Sequence, residues 1–323
     1  MEIGCNSGRI MSFKQMLLDL IEHPVLGAPL RAIGRLSTHA PHIGGLINPF
    51  FVPAIVVERE GAALIAERGS YLFESAWPRQ AVRFQAEEFE PEISFLIPRL
   101  ISDDDVVLDI GANVGLHTVA FARAASRGRV IAFEPVAEMA ERLSENCALN
   151  GIGNVTLVPC ALGAANDVAE MQVNVAGAGM EGTSSLAGTV HMEANPGHYQ
   201  NRQVPVRRLD DVIASLGIEG RIGFVKIDTE GFESYVIEGG FETLNRHKPV
   251  MIIEAHSRRL EKAGKSFQWY LDTFPDHHIF IVYATGRANP YLRLTPLKAD
   301  QPEIAVNLLL VPKTRSFDLA KIG

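Results

Sequence analysis

Residues 106–117 read Val-Val-Leu-Asp-Ile-Gly-Ala-Asn-Val-Gly-Leu-His. An apolar run ends in Asp109, breaks at Gly111-Ala112-Asn113-Val114-Gly115, and passes at once into a helical pattern. Strand, glycine turn and helix in that order form the first unit of a nucleotide-binding α/β sheet. Small residues at the turn let the backbone approach a ligand, because a Cβ would take up the space. The first helical amides are expected to point at that ligand.

The glycine pattern separates ligand classes. A dinucleotide site needs Gly-x-Gly-x-x-Gly, with pyrophosphate resting on the helix N-terminus. Here Asn113 stands where the second glycine belongs, and Thr118 follows Gly115 where a third would be. Asp109, just ahead of the turn, would repel a pyrophosphate but can accept from an ammonium group. S-adenosylmethionine (SAM) carries an ammonium and a sulfonium and no phosphate. It is the expected cofactor, with NAD as the alternative. Gly111, Asn113 and Gly115 join Asp109 in the expected cofactor site.

Working outward, the next strand pattern ends in Glu134-Pro135. An acid about 20 residues past the glycine turn is placed to hold a ribose. Its two acceptor oxygens match the two donors of the diol. An exposed strand-end glutamate is the plain alternative. The third strand leads into Cys160 and Ala161, whose backbone amides would read an adenine ring. Cys160 itself reads as a small buried hydrophobe rather than a reactive thiol.

A second informative stretch is Gly223-Phe-Val-Lys-Ile-Asp-Thr-Glu-Gly231. Period-two alternation puts Lys226 and Asp228 on one face. A parallel strand delivers its last residues, Asp228 and Glu230, to the ligand crevice. The following strand ends in Glu254-Ala-His256, with Glu254 and His256 on one face. Lys226, Asp228, Glu230, Glu254 and His256 are the candidate catalytic residues. Two chemistries are open to them. One is removal of a proton from a hydroxyl by His256 or an acid. The other is a divalent metal held by three oxygens and one imidazole, which would polarise the acceptor. A structural Lys226–Asp228 pair and a satisfied structural histidine are the bland readings. Residues 179–186, rich in Gly, Ser and Thr, either line the acceptor site or form a turn. His191, His198 and Tyr199 follow them.

The chain has 323 residues, enough for one large α/β domain with an appendage or two small domains. Hydrophobic content of 47% and charged content of 21% suit a globular protein. A net charge of −8 without any basic run argues against bulk nucleic-acid binding. The Asn/Asp-Pro-Pro-aromatic signature of base amino methylation is also missing. Cys5, Cys147 and Cys160 lack metal spacing and read as reduced thiols. No run approaches the roughly 18 apolar residues of a membrane span. No secretory pattern opens the chain, so a cytoplasmic location is expected.

Residues 1–50 hold one helical patch at 13–21, and 52–85 suggest a few antiparallel strands. A helical pattern over 87–100, ending near Pro98, should pack on the first strand and close one side of the cofactor pocket. Strands are expected at 105–110, 129–134, 154–159, 222–228, 249–254, 278–284 and 304–311. Helices are expected at 114–126, 136–150, 209–216, 232–246 and 265–274. A polar stretch, 163–203, interrupts the rhythm. Seven strands in this order suit a doubly wound, Rossmann-like sheet of the class I methyltransferase type. The last strand should be antiparallel, because only a loop over 286–302 joins it to its predecessor. The expected division is an N-terminal extension (1–86), one α/β domain (87–315) with the insertion, and a tail (316–323).

Residues from about 87 to 256 resemble the FkbM family of SAM-dependent methyltransferases. The carriers are Val107-Leu-Asp-Ile-Gly-Ala-Asn-Val-Gly115, Ala132-Phe-Glu-Pro135, Leu209-Asp-Asp211, Val225-Lys-Ile-Asp-Thr-Glu-Gly231, Glu238-Gly-Gly240 and Pro249 through Glu254. Glu92 looks like the acid that precedes the first strand in that family. The resemblance implies methyl transfer from SAM to a hydroxyl of a small molecule, such as a polyketide, or a glycan. Residues 1–86 and 286–323 fall largely outside it and would hold acceptor specificity or a homodimer contact. An NAD-dependent oxidoreductase and a non-catalytic SAM-fold binding module are the competing readings.

Overall fold

Runs such as Val106–Ile110 and Val250–Ile253 are buried along their whole length. Strands apolar on both sides need cover on both faces of the sheet. The structure, a computed structural model, describes residues 57–59, 63–68, 71–75, 90–175, 184–186, 196–218, 220–285, 291–301 and 305–315. The patch expected at 13–21 lies outside them.

The described chain opens with an antiparallel sheet of β1 (Val57–Arg59), β2 (Ala63–Arg68) and β3 (Tyr71–Ser75), as the alternation over 52–85 suggests. Helix α1 (Pro91–Leu100) leads into β4 (Val106–Ile110), α2 (Leu116–Ala124), β5 (Arg129–Phe133), α3 (Ala137–Leu149) and β6 (Val155–Val158). After the insertion come α4 (Leu209–Ser215), β10 (Ile222–Ile227), the helices α5 (Glu233–Gly239) and α6 (Phe241–His247), and β11 (Val250–His256). The chain continues through α7 (Ser257–Lys262), α8 (Phe267–Thr273), β12 (His277–Thr285), β13 (Tyr291–Pro296) and β14 (Ala305–Pro312).

The main sheet runs β13-β12-β14-β11-β10-β4-β5-β6. Strands β6, β5, β4, β10 and β11 are parallel, and β14 is antiparallel to both β11 and β12. Alternation splits their side chains between two cores. Val106, Leu108, Ile110 and Ile227 join Leu209, Val236 and Tyr270 on one face. Val107, Val130, Phe224 and Ile252 join Ile93, Leu96 and Phe121 from α1 and α2 on the other. The sheet is therefore doubly wound. Strand order reverses direction between β4 and β10, and ligands bind such sheets in the crevice outside that switch point.

The seven expected strands are all present, and β13 adds an eighth within the supposed loop 286–302. The polar stretch 163–203 is also more ordered than its composition suggests. β7 (Ala161–Leu162), β8 (Asp167–Asn174) and β9 (Tyr199–Arg207) form a second sheet, in the order β7-β9-β8. Met171, Val173, Val204 and Val206 are buried and pack against Val136 and Ala161, while Glu170, Gln203, Pro205 and Arg207 beside them are exposed. One wet face made these strands look like a loop. The helix expected over 232–246 is two helices that meet at Gly240, whose backbone is not helical. Helix α1 runs two residues past Pro98, which is exposed, and buries Leu100.

Gly111 is required by the junction of β4 with β10 rather than by a ligand. Its φ is +81°, and a Cβ there would lie 1.8 Å from the Asp228 carbonyl oxygen. Gly111→Ala combines a left-handed strain with a backbone clash, so a loss of about 3–5 kcal/mol in unfolding free energy is expected. Urea denaturation measures it, and a loss near zero would mean that the two strand ends separate freely.

Candidate active site

A cavity of about 410 Å³ opens at the carboxyl edge of the switch point. Of the residues expected to hold a cofactor, Asp109, Gly111, Asn113, Glu134, Pro135, Cys160 and Ala161 line it. Gly115 does not: it stands before α2 and packs on Leu143. Of the expected catalytic residues, Lys226, Asp228, Glu230 and Glu254 line the cavity, and His256 does not.

At one end, Asp109 Oδ2 accepts from Thr118 Oγ1 at 2.6 Å, while its Oδ1 is buried without a hydrogen-bond partner. Burial pushes this carboxyl above the usual carboxylate range. Asn113 Oδ1 is likewise buried and unpartnered. A buried acceptor left unmatched is costly, so these oxygens fit a ligand that donates. The turn amides differ from the sequence expectation. Gly111 and Ala112 donate their N–H groups to the Phe133 carbonyl at 3.1 and 3.0 Å, and Asn113 donates to Glu134 Oε2 at 2.8 Å. They bind β4 to the end of β5 and are not free for a pyrophosphate. Unmatched acceptors and spent donors suit SAM, which presents an ammonium and no phosphate.

Glu134 also accepts from Val136 N–H at 2.9 Å through Oε1. Each oxygen keeps a second lone pair for a ribose hydroxyl. Burial pushes this carboxyl up to about 7. Of the amides expected to read an adenine, that of Cys160 donates to the Val158 carbonyl at 2.9 Å, and Ala161 and Leu162 lie in β7 beside β9. Apolar side chains of Phe133, Met139, Met171 and Leu186 form the wall there instead. Burial pushes the Cys160 thiol up to about 11, consistent with an inert residue.

At the other end, Lys226 Nζ donates to Asp228 Oδ2 at 2.7 Å, so the pair expected from alternation forms. Desolvation opposes the Lys226 charge, but Asp228, Glu90 and Asp109 outweigh it and raise its pKa. Glu230 takes a left-handed φ of 55°. Glu233 Oε1 locks this turn by accepting from Thr229 N–H, Thr229 Oγ1 and Gly231 N–H at 3.0, 3.1 and 2.9 Å. From the insertion, Ser184 and Leu186 line the cavity, and Ser185 Oγ donates to the Glu230 carbonyl at 2.7 Å. Residues 179–183 and His191 lie outside the described set. His198 and Tyr199 do not line the cavity.

Arg259 draws the acidic strand ends together. It donates to Glu254 Oε2 at 2.8 Å and to Glu230 Oε2 at 2.5 Å. Desolvation, followed by Asp228, Glu230 and Glu233, pushes Glu254 up to about 9. Desolvation and Asp228 push Glu230 up to about 7. Arg259 escaped the sequence reading because α7 is only six residues long and has no apolar stripe of its own.

His256 departs from expectation because β11 runs to residue 256. Two further residues carry the chain about 7 Å beyond Glu254. There His256 caps α7, its Nδ1 accepting from Arg258 N–H at 3.3 Å. The metal arrangement with one imidazole therefore does not assemble: Arg259 links two of the oxygens, and the imidazole is turned to the cap. Among the described residues no group of three or more His, Cys, Asp or Glu is placed to hold a metal. His256→Ala is expected to keep turnover within about threefold and to cost about 1 kcal/mol of stability through the lost cap. A hundredfold loss of turnover, measured as S-adenosylhomocysteine release, would return the histidine to the reaction.

Glu90, the residue just before α1, lines the cavity, and Glu92 does not. Glu90 Oε2 lies 2.5 Å from His117 Nε2. Its carboxyl sits at about 2: desolvation, which alone would raise it, is outweighed by Lys226 and His117. Glu92 instead accepts from Asn307 Nδ2 at 3.1 Å. Glu90, Asn113 and Glu230 all carry positive φ and all line the cavity. Strained backbone concentrated in this way marks functional sites.

Curated relatives align with parts of the chain. An AMB antimetabolite synthetase, AmbE of Pseudomonas aeruginosa, is 29% identical over 50% of this chain, which spans only 9% of the synthetase. The 2-O-methyltransferase NoeI of Sinorhizobium fredii is 26% identical over 59% of this chain and 79% of its own length. The hexuronic acid methyltransferase AglP of Haloferax volcanii is 25% identical over 52% of this chain and 63% of its own length. Among the described residues no helix is long and apolar enough to cross a membrane. The family described as the methyltransferase FkbM domain matches residues 109–283, a span that holds the glycine turn and the acidic strand ends, and the chain belongs to this family of SAM-dependent methyltransferases.

Proposed function

We propose that this chain transfers the methyl group of SAM to a hydroxyl oxygen of a sugar or a related small polyol. The reading is carried by one observation: Asp228, Glu230 and Glu254 line the same cavity as Asp109, whose buried Oδ1 has no hydrogen-bond partner. Bound SAM supplies a methyl group on a sulfonium, which needs no further activation. Asp109 and Asn113 accept from its ammonium, and Glu134 accepts from its ribose. Phe133, Met139 and Met171 exclude water around the rest. Asp228 and Glu230 accept from the acceptor's hydroxyls and orient them. Glu254 takes the proton of the reacting hydroxyl, since a carboxyl held near 9 is a stronger base than an ordinary one. Alignment of this kind supplies roughly 7–11 kcal/mol of barrier lowering.

The relatives named as a 2-O-methyltransferase and a hexuronic acid methyltransferase support a hydroxyl on a sugar as the target. Residues 87–315 form the methyltransferase unit in this reading. The flanking segments, 1–86 and 316–323, contribute acceptor choice or a contact between two copies. The test is incubation with methyl-labelled SAM and a panel of simple glycosides, with the labelled position assigned by NMR. Label on a hydroxyl oxygen, appearing only with acceptor, is the expected result. Label on nitrogen or carbon would reject hydroxyl methylation.

A further inference from the structure

Charge at the acceptor end restricts what the site can take. Asp228, Glu230 and Glu254 face the cavity there, and Glu90 brings a fourth carboxyl. Among the described residues, the lysine and the arginine beside these carboxyls are committed, and His117 is held by Glu90. Lys226 is 3% exposed and pairs with Asp228, while Arg259 divides its guanidinium between Glu230 and Glu254. The insertion that contributes Met171, Ser184 and Leu186 to the wall brings no cation to it, because its Arg202 pairs with Glu138 and does not line the cavity. Residues 163–201 contain no lysine or arginine, and they contain Asp167, Glu170, Glu181 and Glu193.

We propose that the acceptor is neutral or amino-bearing around its reacting hydroxyl, a plain or amino sugar in chemical class, and that uronates and phosphorylated sugars are rejected. This rests on the hydroxyl-methylation reading above. A carboxylate entering the site would meet three carboxyl groups in a partly dehydrated space, and its charge would add to the repulsion that already opposes ionisation of Glu230 and Glu254. It could recruit Arg259 only by unpairing Glu230 and Glu254, and a buried charge stripped of its partner is strongly unfavourable. Lys226 is less accessible still, because it is enclosed and its partner would be left behind. The carboxyls already resist further negative charge: burial and their mutual repulsion hold Glu254 and Glu230 at about 9 and about 7. An ammonium on the acceptor would relieve that repulsion.

Three methyl glycosides with the same ring test the proposal: the neutral sugar, its 2-amino form and its 6-carboxylate. Each is titrated at millimolar concentration into protein loaded with S-adenosylhomocysteine, followed by ligand-observed NMR, and each is offered in parallel with methyl-labelled SAM. The neutral and amino forms are expected to bind at least about tenfold more tightly than the uronate, with the gap narrowing at high salt. Equal or tighter binding of the uronate overturns the proposal, and so does failure of both uncharged and amino forms to bind. Methylation of the uronate hydroxyl ahead of its neutral partner would overturn the charge argument while hydroxyl methylation stands. Label on the amine or carboxyl of any probe would overturn hydroxyl methylation instead.

Discussion

Glu254→Gln is expected to lower turnover by about 100- to 10,000-fold, the range for loss of a general base, and to leave SAM affinity within about twofold. Glutamine keeps the shape and can still accept from Arg259, but it cannot take a proton. The pH dependence gives a second reading of the same residue. Glu254 must be ionised to act, and burial together with Asp228, Glu230 and Glu233 holds it at about 9. Turnover of the native protein should therefore rise with pH between about 7 and 9, the range set by Glu230 and Glu254, and fall as protonation proceeds toward acid. In Glu254→Gln the upper part of that rise should vanish. Rapid quench with labelled SAM across this range measures both effects. A variant that turns over normally, with an unchanged pH profile, would assign the proton to another group.

The second large effect belongs to Asp109→Asn. A charge-assisted hydrogen bond to an ammonium is worth roughly 1.5–3 kcal/mol, so SAM affinity should fall about 10- to 100-fold in calorimetry. Stability without ligand should move the other way or hardly at all. The folded carboxyl lies above its ordinary value because of burial. At pH 8 its ionisation therefore opposes folding, and that cost disappears as pH falls below the unfolded value. Asparagine removes the cost and still accepts from Thr118. A melting temperature that is held or raised, together with weakened SAM binding, is the expected pair of results. A variant that binds SAM as well as the native chain would show that the unpartnered oxygen of Asp109 does not face the ammonium.

The strained turns tie these two ends together. Asn113 sits beside Asp109 and Glu230 beside Asp228, each with a left-handed backbone. Both are held by neighbours rather than by their own preference. Glu134 accepts from the Asn113 amide, and Glu233 and Ser185 grip the Glu230 turn. The carboxylates at the cavity are therefore positioned by residues that carry no reacting group.

Much of this was legible in the order of residues. Short apolar runs closed by Asp109, Glu134, Asp228 and Glu254 located four strand ends, because an apolar run and its terminal acid are local properties. The partial glycine fingerprint pointed away from pyrophosphate for a reason that the structure sharpens, since the turn amides are spent on β5. What local pattern could not decide was partnership. Gly111 is small because of the Asp228 carbonyl, more than 100 residues away in the chain. Arg259 matters because α7 folds back over two strand ends, and His256 leaves the cavity because β11 runs two residues longer than its apolar run suggests. The insertion strands were hidden because only one of their faces is dry. The sequence by itself determined the class of fold, the cofactor and the carboxylates at the sheet's edge, all of which follow from short-range periodicity and residue chemistry. The tertiary structure alone decided which of those groups share a cation, which are strained and which turn away, because charge pairing and burial depend on contacts between segments that are remote along the chain.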